Sequence, residues 1–145
     1  MPLPKPVPGL VIRYSYLWRA EHARGQDEGS KDRPSAVVLV TKNEDGEQVV
    51  TVLPITHSPP SDPQFAVEIP LATKQRLKMD DARSWIMLTE ANRFVWPGPD
   101  LRPAMGGDLS TVAYGLLPAA LYDHVLDKFM TAIKTRKARL IQRTE

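Results

Sequence analysis

Ser35-Ala-Val-Val-Leu-Val-Thr41, then Lys42-Asn-Glu-Asp-Gly-Glu47, then Gln48-Val-Val-Thr-Val-Leu-Pro-Ile-Thr56: two runs rich in β-branched residues flank a polar hexapeptide. Its Asp45-Gly46 step is a hairpin turn signal, so residues 35–41 and 48–56 are expected to pair as antiparallel strands. Upstream, Leu10 to Leu17 (LVIRYSYL) has the same β-branched and aromatic character and predicts a first strand. Downstream, Phe65 to Ile69, Ser84 to Thr89 and Arg93 to Trp96 predict further short strands, and Leu71 to Met79 carries enough Leu, Lys, Gln and Arg for a helical turn or two. Short strands with one small helical insert point to a mainly β fold, a barrel or roll, because parallel α/β folds need a longer helix between successive strands. The C-terminus is the exception. After Pro118, the residues Leu121, Val125, Leu126, Phe129 and Ile133 recur at helical spacing and predict an amphipathic helix over 118–139.

The 145 residues fit a single domain: a proline-rich arm (1–8), the β body (9–117), the helix (118–139) and a basic tail (140–145). Hydrophobic residues at 42% and charged residues at 25% are ordinary globular values. No run approaches the roughly 18 apolar residues of a membrane helix, and the proline-studded start lacks the apolar core of an export signal. The expectation is a cytoplasmic protein with no membrane contact. There is no cysteine, and the three histidines are scattered at His22, His57 and His124, so neither thiol chemistry nor a metal site nor any cofactor is expected. The net charge is +2, but the last twelve residues carry +4 and the rest of the chain −2. Such a tail is ordinarily a solvated helix end, and net charge alone does not argue for nucleic acid. Two long polar or Pro/Gly-rich segments, Trp18 to Arg33 and Pro97 to Asp108, are expected to be irregular loops.

Candidate chemistry starts where the first of these loops enters the strand. In Lys31-Asp-Arg-Pro34, proline holds Arg33 extended and fixes where its guanidinium emerges on the rim. The partner strand ends in Pro54-Ile-Thr-His-Ser58, which puts Thr56 across from the strand start that follows Arg33. One charge and one hydroxyl then converge. Taken alone, a threonine ending a strand is ordinarily structural. His57 has the intrinsic pKa of a general base, but strand alternation turns it away from Thr56 unless the strand has already ended, which Pro59-Pro60 allows. His22 and His124 read as a solvated loop histidine and a helix-surface histidine. Tyr16, Trp18 and Trp96 are candidates for stacking on unpaired bases, against the ordinary reading of core packing.

These segments, taken in order, resemble the MazF/PemK family of bacterial toxin endoribonucleases. Gly9-Leu-Val-Ile is similar to that family's opening strand, Arg33-Pro34 with Ala-Val-Val-Leu to its R-P-a-V-V-l strand, and Val52-Leu-Pro-Ile-Thr56 to its V-x-P-I-T strand. Ser84 to Arg93, ending Thr-Glu-Ala-Asn-Arg, resembles the late strand, and Leu116-Leu-Pro118 precedes the helix where the family has its own. The resemblance covers roughly residues 9–133, and its force lies in the order of short motifs. It departs in the longer loop before Arg33, in Asn92 where an aliphatic residue is usual, and in the 97–108 insert and basic tail. It implies an SH3-like barrel, a homodimer, a cognate antitoxin, and metal-independent cleavage of single-stranded RNA by the substrate's own 2′-hydroxyl. Arg33 and Thr56 then become the catalytic pair, with His57, Ser58, Glu90 and Arg93 contacting the RNA. Two readings of another class compete. One is a non-enzymatic barrel toxin of the CcdB gyrase-poison type. The other is a silent nucleic-acid-binding module that uses the basic tail.

Overall fold

The computed structural model describes residues 4–18, 20–21, 25, 32–103, 112–135 and 138–143. The long β-branched runs become β2 (Arg33–Lys42) and β3 (Gln48–Thr56), joined by the expected hairpin. Its turn closes because Gly46 takes φ +79, a region that costs other residues strain, while the Asn43 side chain accepts from the backbone N–H groups of Asp45 and Glu47. β1 (Leu10–Tyr14) pairs antiparallel with β2 and stops three residues short of the expected end at Leu17. The C-terminal end of β3 meets β5 (Trp85–Met87), which pairs with β4 (Ala66–Glu68), and a short α1 (Leu71–Arg76) joins β4 to β5. The N-terminal half of β3 pairs instead with β6 (Glu90–Val95).

Three differences from the sequence reading matter. A strand β7 (Ala113–Leu116), not foreseen, pairs with the outer side of β1. The helix, α2 (Ala119–Lys134), ends five residues before the expected 139. Residues Arg139–Gln142, assigned by the sequence to the helix end and a free tail, form a strand β8 that runs parallel to β6. The described strands make one mainly antiparallel sheet that forks at β3 and does not close on itself. No described helix is long and apolar enough to cross a membrane.

The strand interiors read as unbroken apolar runs because both faces are covered. Alternation sends Val37, Val50 and Val52 into one cluster with Tyr14, Tyr16 and Phe94, and sends Ala36, Val38, Leu53 and Ile55 into another beneath α2, whose Val125 and Phe129 are buried there. A bulge at Val38 breaks the hairpin register between Val37 and Leu39. Its carbonyl accepts a 2.7 Å hydrogen bond from the Tyr122 hydroxyl of α2. Had the Lys42–Gln48 register run on unbroken, position 33 would face His57; the extra residue puts Arg33 opposite Thr56.

Candidate functional site

The bulge therefore decides which side chains share the end of the β2–β3 ladder. Arg33 and Thr56, directly opposite by the Ser35–Pro54 register carried two residues further, lie on one face. They line two adjoining hollows. The larger, about 560 Å³, is bounded by Arg13, Asp32, Arg33, Pro34, Ile55, Thr56, His57, Ser58, Met79, Asp80, Ser84 and Tyr114. The smaller, about 470 Å³, is bounded by Trp18, Arg33, Thr56, Ser58, Pro59, Pro60, Ser61 and Met87. Arg33, Thr56 and Ser58 belong to both and form the wall between them.

The Arg33 guanidinium stacks over the Trp18 ring with its carbon 4.8 Å from the ring centroid. Its Nε is buried without a hydrogen-bond partner, and it makes no ion pair among the described residues. Burial lowers its proton affinity from the ordinary guanidinium range, against the opposing fields of Glu21, Tyr16 and Glu90. A fixed, partly desolvated cation of this kind favours an anion, and its planar fork suits phosphate oxygens. Thr56 Oγ1 accepts from the Ser58 N–H at 3.1 Å, which leaves the hydroxyl's own hydrogen to donate into the hollow. Arg13, by contrast, is shared with Asp32 at 4.0 Å, and Asp32 also lies 3.5 Å from Arg102.

β3 ends at Thr56, so His57 escapes strand alternation as Pro59-Pro60 suggested, and it lines the larger hollow beside Thr56 and Ser58. Its Nε2 lies 2.9 Å from Asp80. Asp80 in turn receives a 2.6 Å hydrogen bond from Lys74 Nζ. Lys74 is almost wholly buried, and its ammonium also bonds the Ser84 hydroxyl at 2.6 Å and the Ala82 carbonyl. Partial burial alone would raise the Asp80 carboxyl, but the bonded and charged Lys74, with His57, holds it below the usual carboxylate range. The sequence reading missed Lys74 and Asp80. The signal was present: Thr73 and Lys74, with Leu77 just past the helix end, form the inward face of α1, so a lysine occupies a position that should be apolar.

Glu90 and Arg93 are not brought to these hollows. Three positions apart on β6, they point to opposite faces. Glu90 accepts from the buried Tyr16 hydroxyl at 3.2 Å, and Arg93 is exposed beside β8, its carbonyl bonded by Arg143 N–H. Tyr16 itself is core. Asn92 has a plain structural reason: its amide side chain bonds both the N–H and the C=O of Leu17, each at 2.8 Å, and so ties down the chain beyond the end of β1. Arg143, expected in a free basic tail, is buried: it pairs with Asp100 at 2.8 Å and donates to the Tyr14 hydroxyl, the Ser15 carbonyl and Asn92. His124 is exposed on α2, while His22, most of the 18–33 loop and the 104–108 end of the insert fall outside the described residues. Among the described residues no three His, Cys, Asp or Glu side chains cluster so as to hold a metal ion. Comparison of the sequence with protein-family models and with curated proteins finds no match.

Proposed function

We propose that this chain is a metal-independent endoribonuclease that cuts single-stranded RNA, the toxin of a type II toxin–antitoxin pair, built on an SH3-like barrel and acting as a homodimer in the cytoplasm. The observation that supports it most is Arg33: a half-buried guanidinium whose Nε has no partner and which makes no ion pair among the described residues, set beside Thr56 in the wall between two hollows. A phosphodiester lying along that wall places a nucleotide in each hollow. Attack of the RNA's own 2′-hydroxyl forms the O2′–P bond and breaks the P–O5′ bond, leaving a 2′,3′-cyclic phosphate. Arg33 neutralises the charge that gathers on the non-bridging oxygens, and Thr56 donates to one of them. Ser58 lies in the same wall. Glu90 acts on this site only through its field on Arg33, and Arg93 is left to an outlying phosphate. A cognate antitoxin of acidic-hydrophobic character would block the groove by covering Arg33.

The test is cleavage of a single-stranded oligoribonucleotide by wild type, Arg33→Ala and Thr56→Ala. Loss of cutting in both variants, with unchanged circular dichroism, supports the assignment; wild-type rates in both overturn it. The module that grips nucleic acid by its tail is the weaker reading, because burial of Arg143 and the pairing of β8 take part of that basic segment out of solution.

A further inference from the structure

A charged chain reaches the larger hollow, where His57 and Asp80 form part of the lining. It runs from Lys74 in α1 through Asp80 to His57 at the end of β3, over 2.6 and 2.9 Å. Resting on the ribonuclease reading above, we propose that His57 is the proton acceptor of the reaction, using Nδ1, and that Asp80, pinned by Lys74, is the residue that positions it.

The tautomer follows from the chemistry of the neighbours. Asp80 is bonded by a buried ammonium, so it is a carboxylate and can only accept; Nε2 must then carry the hydrogen that bridges the imidazole to Asp80. Nδ1 is left with its lone pair, on a side chain 60% exposed at the hollow that Arg33 and Thr56 also line. Lys74 gives the device its stiffness. A surface His–Asp contact is worth little alone. Here Asp80 is held at one oxygen by an ammonium that is 1% exposed and tied to Ser84 and Ala82, and that oxygen also accepts from the Ala82 N–H at 3.1 Å. The carboxylate is thus fixed from the side of the fold, and the imidazole is the member that stands furthest into solvent. In the reaction the 2′-hydroxyl proton passes to Nδ1 as O2′ bonds to phosphorus. The resulting imidazolium faces Asp80, and the departing 5′-oxygen takes a proton from water in the open groove. The other charged groups lining that hollow are Arg13, Asp32 and Arg33; Asp32 lies between Arg13 at 4.0 Å and Arg102 at 3.5 Å.

The experiment uses the full chain. Long-range ¹H–¹⁵N correlation spectra recorded at alkaline pH read the His57 tautomer in wild type, Asp80→Asn and Asp80→Glu. Cleavage kinetics on a single-stranded oligoribonucleotide follow for the same proteins and His57→Gln. The expected results are an Nε2–H tautomer in wild type that becomes mixed in Asp80→Asn. His57→Gln should lose on the order of 10²-fold in kcat. Asp80→Asn should lose about tenfold in kcat with KM unchanged, and Asp80→Glu should recover part of it. An Nδ1–H tautomer in wild type overturns the positioning role without any need for activity. A wild type that cuts RNA alongside an equally active His57→Gln overturns this inference and leaves the ribonuclease reading standing. A folded wild type that cuts nothing overturns that reading, and this inference falls with it.

Discussion

Arg33 concentrates the chemistry because three separate constraints act on it. Pro34 fixes the backbone, Trp18 takes one face of the guanidinium, and partial burial strips water while no carboxylate among the described residues comes within ion-pair distance. A lysine has the charge but neither the fork nor the flat face, so Arg33→Lys should lose about 10²–10³-fold in kcat while melting like wild type. Single-turnover cleavage with thermal melts of both proteins checks this, and wild-type activity in the lysine variant would show that point charge alone suffices. Asp80 makes a second prediction at this scale. Its carboxyl is depressed below the ordinary value of 3.8, so its ionised form stabilises the fold fully above that value, and the contribution drains away as pH falls through the lower folded value. Asp80→Asn should therefore melt lower than wild type at neutral pH and lose less stability on acidification below about pH 4. Parallel melting curves in both proteins would contradict this.

The elements differ in how much of them the chain announces locally. The β2–β3 hairpin was legible because Asp45-Gly46 and its flanking β-branched runs specify both turn and strands without outside help. The bulge was not, since Val37, Val38, Leu39 and Val40 are interchangeable by pattern; what singles out Val38 is the distant Tyr122 hydroxyl on its carbonyl. For β8 the local signal points the wrong way. Lys, Ala and Arg are good helix formers, and only parallel pairing with β6 and burial of Arg143 against Asp100 override that preference. Of the site, Arg33, Thr56 and His57 could be read from Arg-Pro and Pro-Ile-Thr-His, whereas Lys74 and Asp80 depend on how α1 packs against the sheet. The C-terminal latch carries its own prediction. Arg143 and Asp100 are 3% and 8% exposed, so Arg143→Ala breaks a buried ion pair and should cost about 3–5 kcal/mol in denaturant unfolding. A loss under about 1 kcal/mol would mean that β8 does not help hold the fold.

At the scale of the whole molecule, both faces of the central strands are buried, one under α2 and the other around Tyr14, Tyr16 and Phe94. The sheet ends that remain are where the hollows open. β3 forks there, sending its first half to β6 and its last two residues to β5, and the fork opens the space that Arg33, Thr56 and His57 line. The hollow thus presents a guanidinium that makes no ion pair among the described residues and a histidine backed by a buried ammonium. The most direct measurement is incubation of the purified protein with a long single-stranded RNA in excess EDTA, mapping cut sites and 3′ ends, with Arg33→Ala alongside. The expected result is discrete cuts ending in 2′,3′-cyclic phosphate that vanish in the variant. Intact RNA after exposure to well-folded wild type, or equal cutting by Arg33→Ala, would contradict the assignment of a ribonuclease site to this wall.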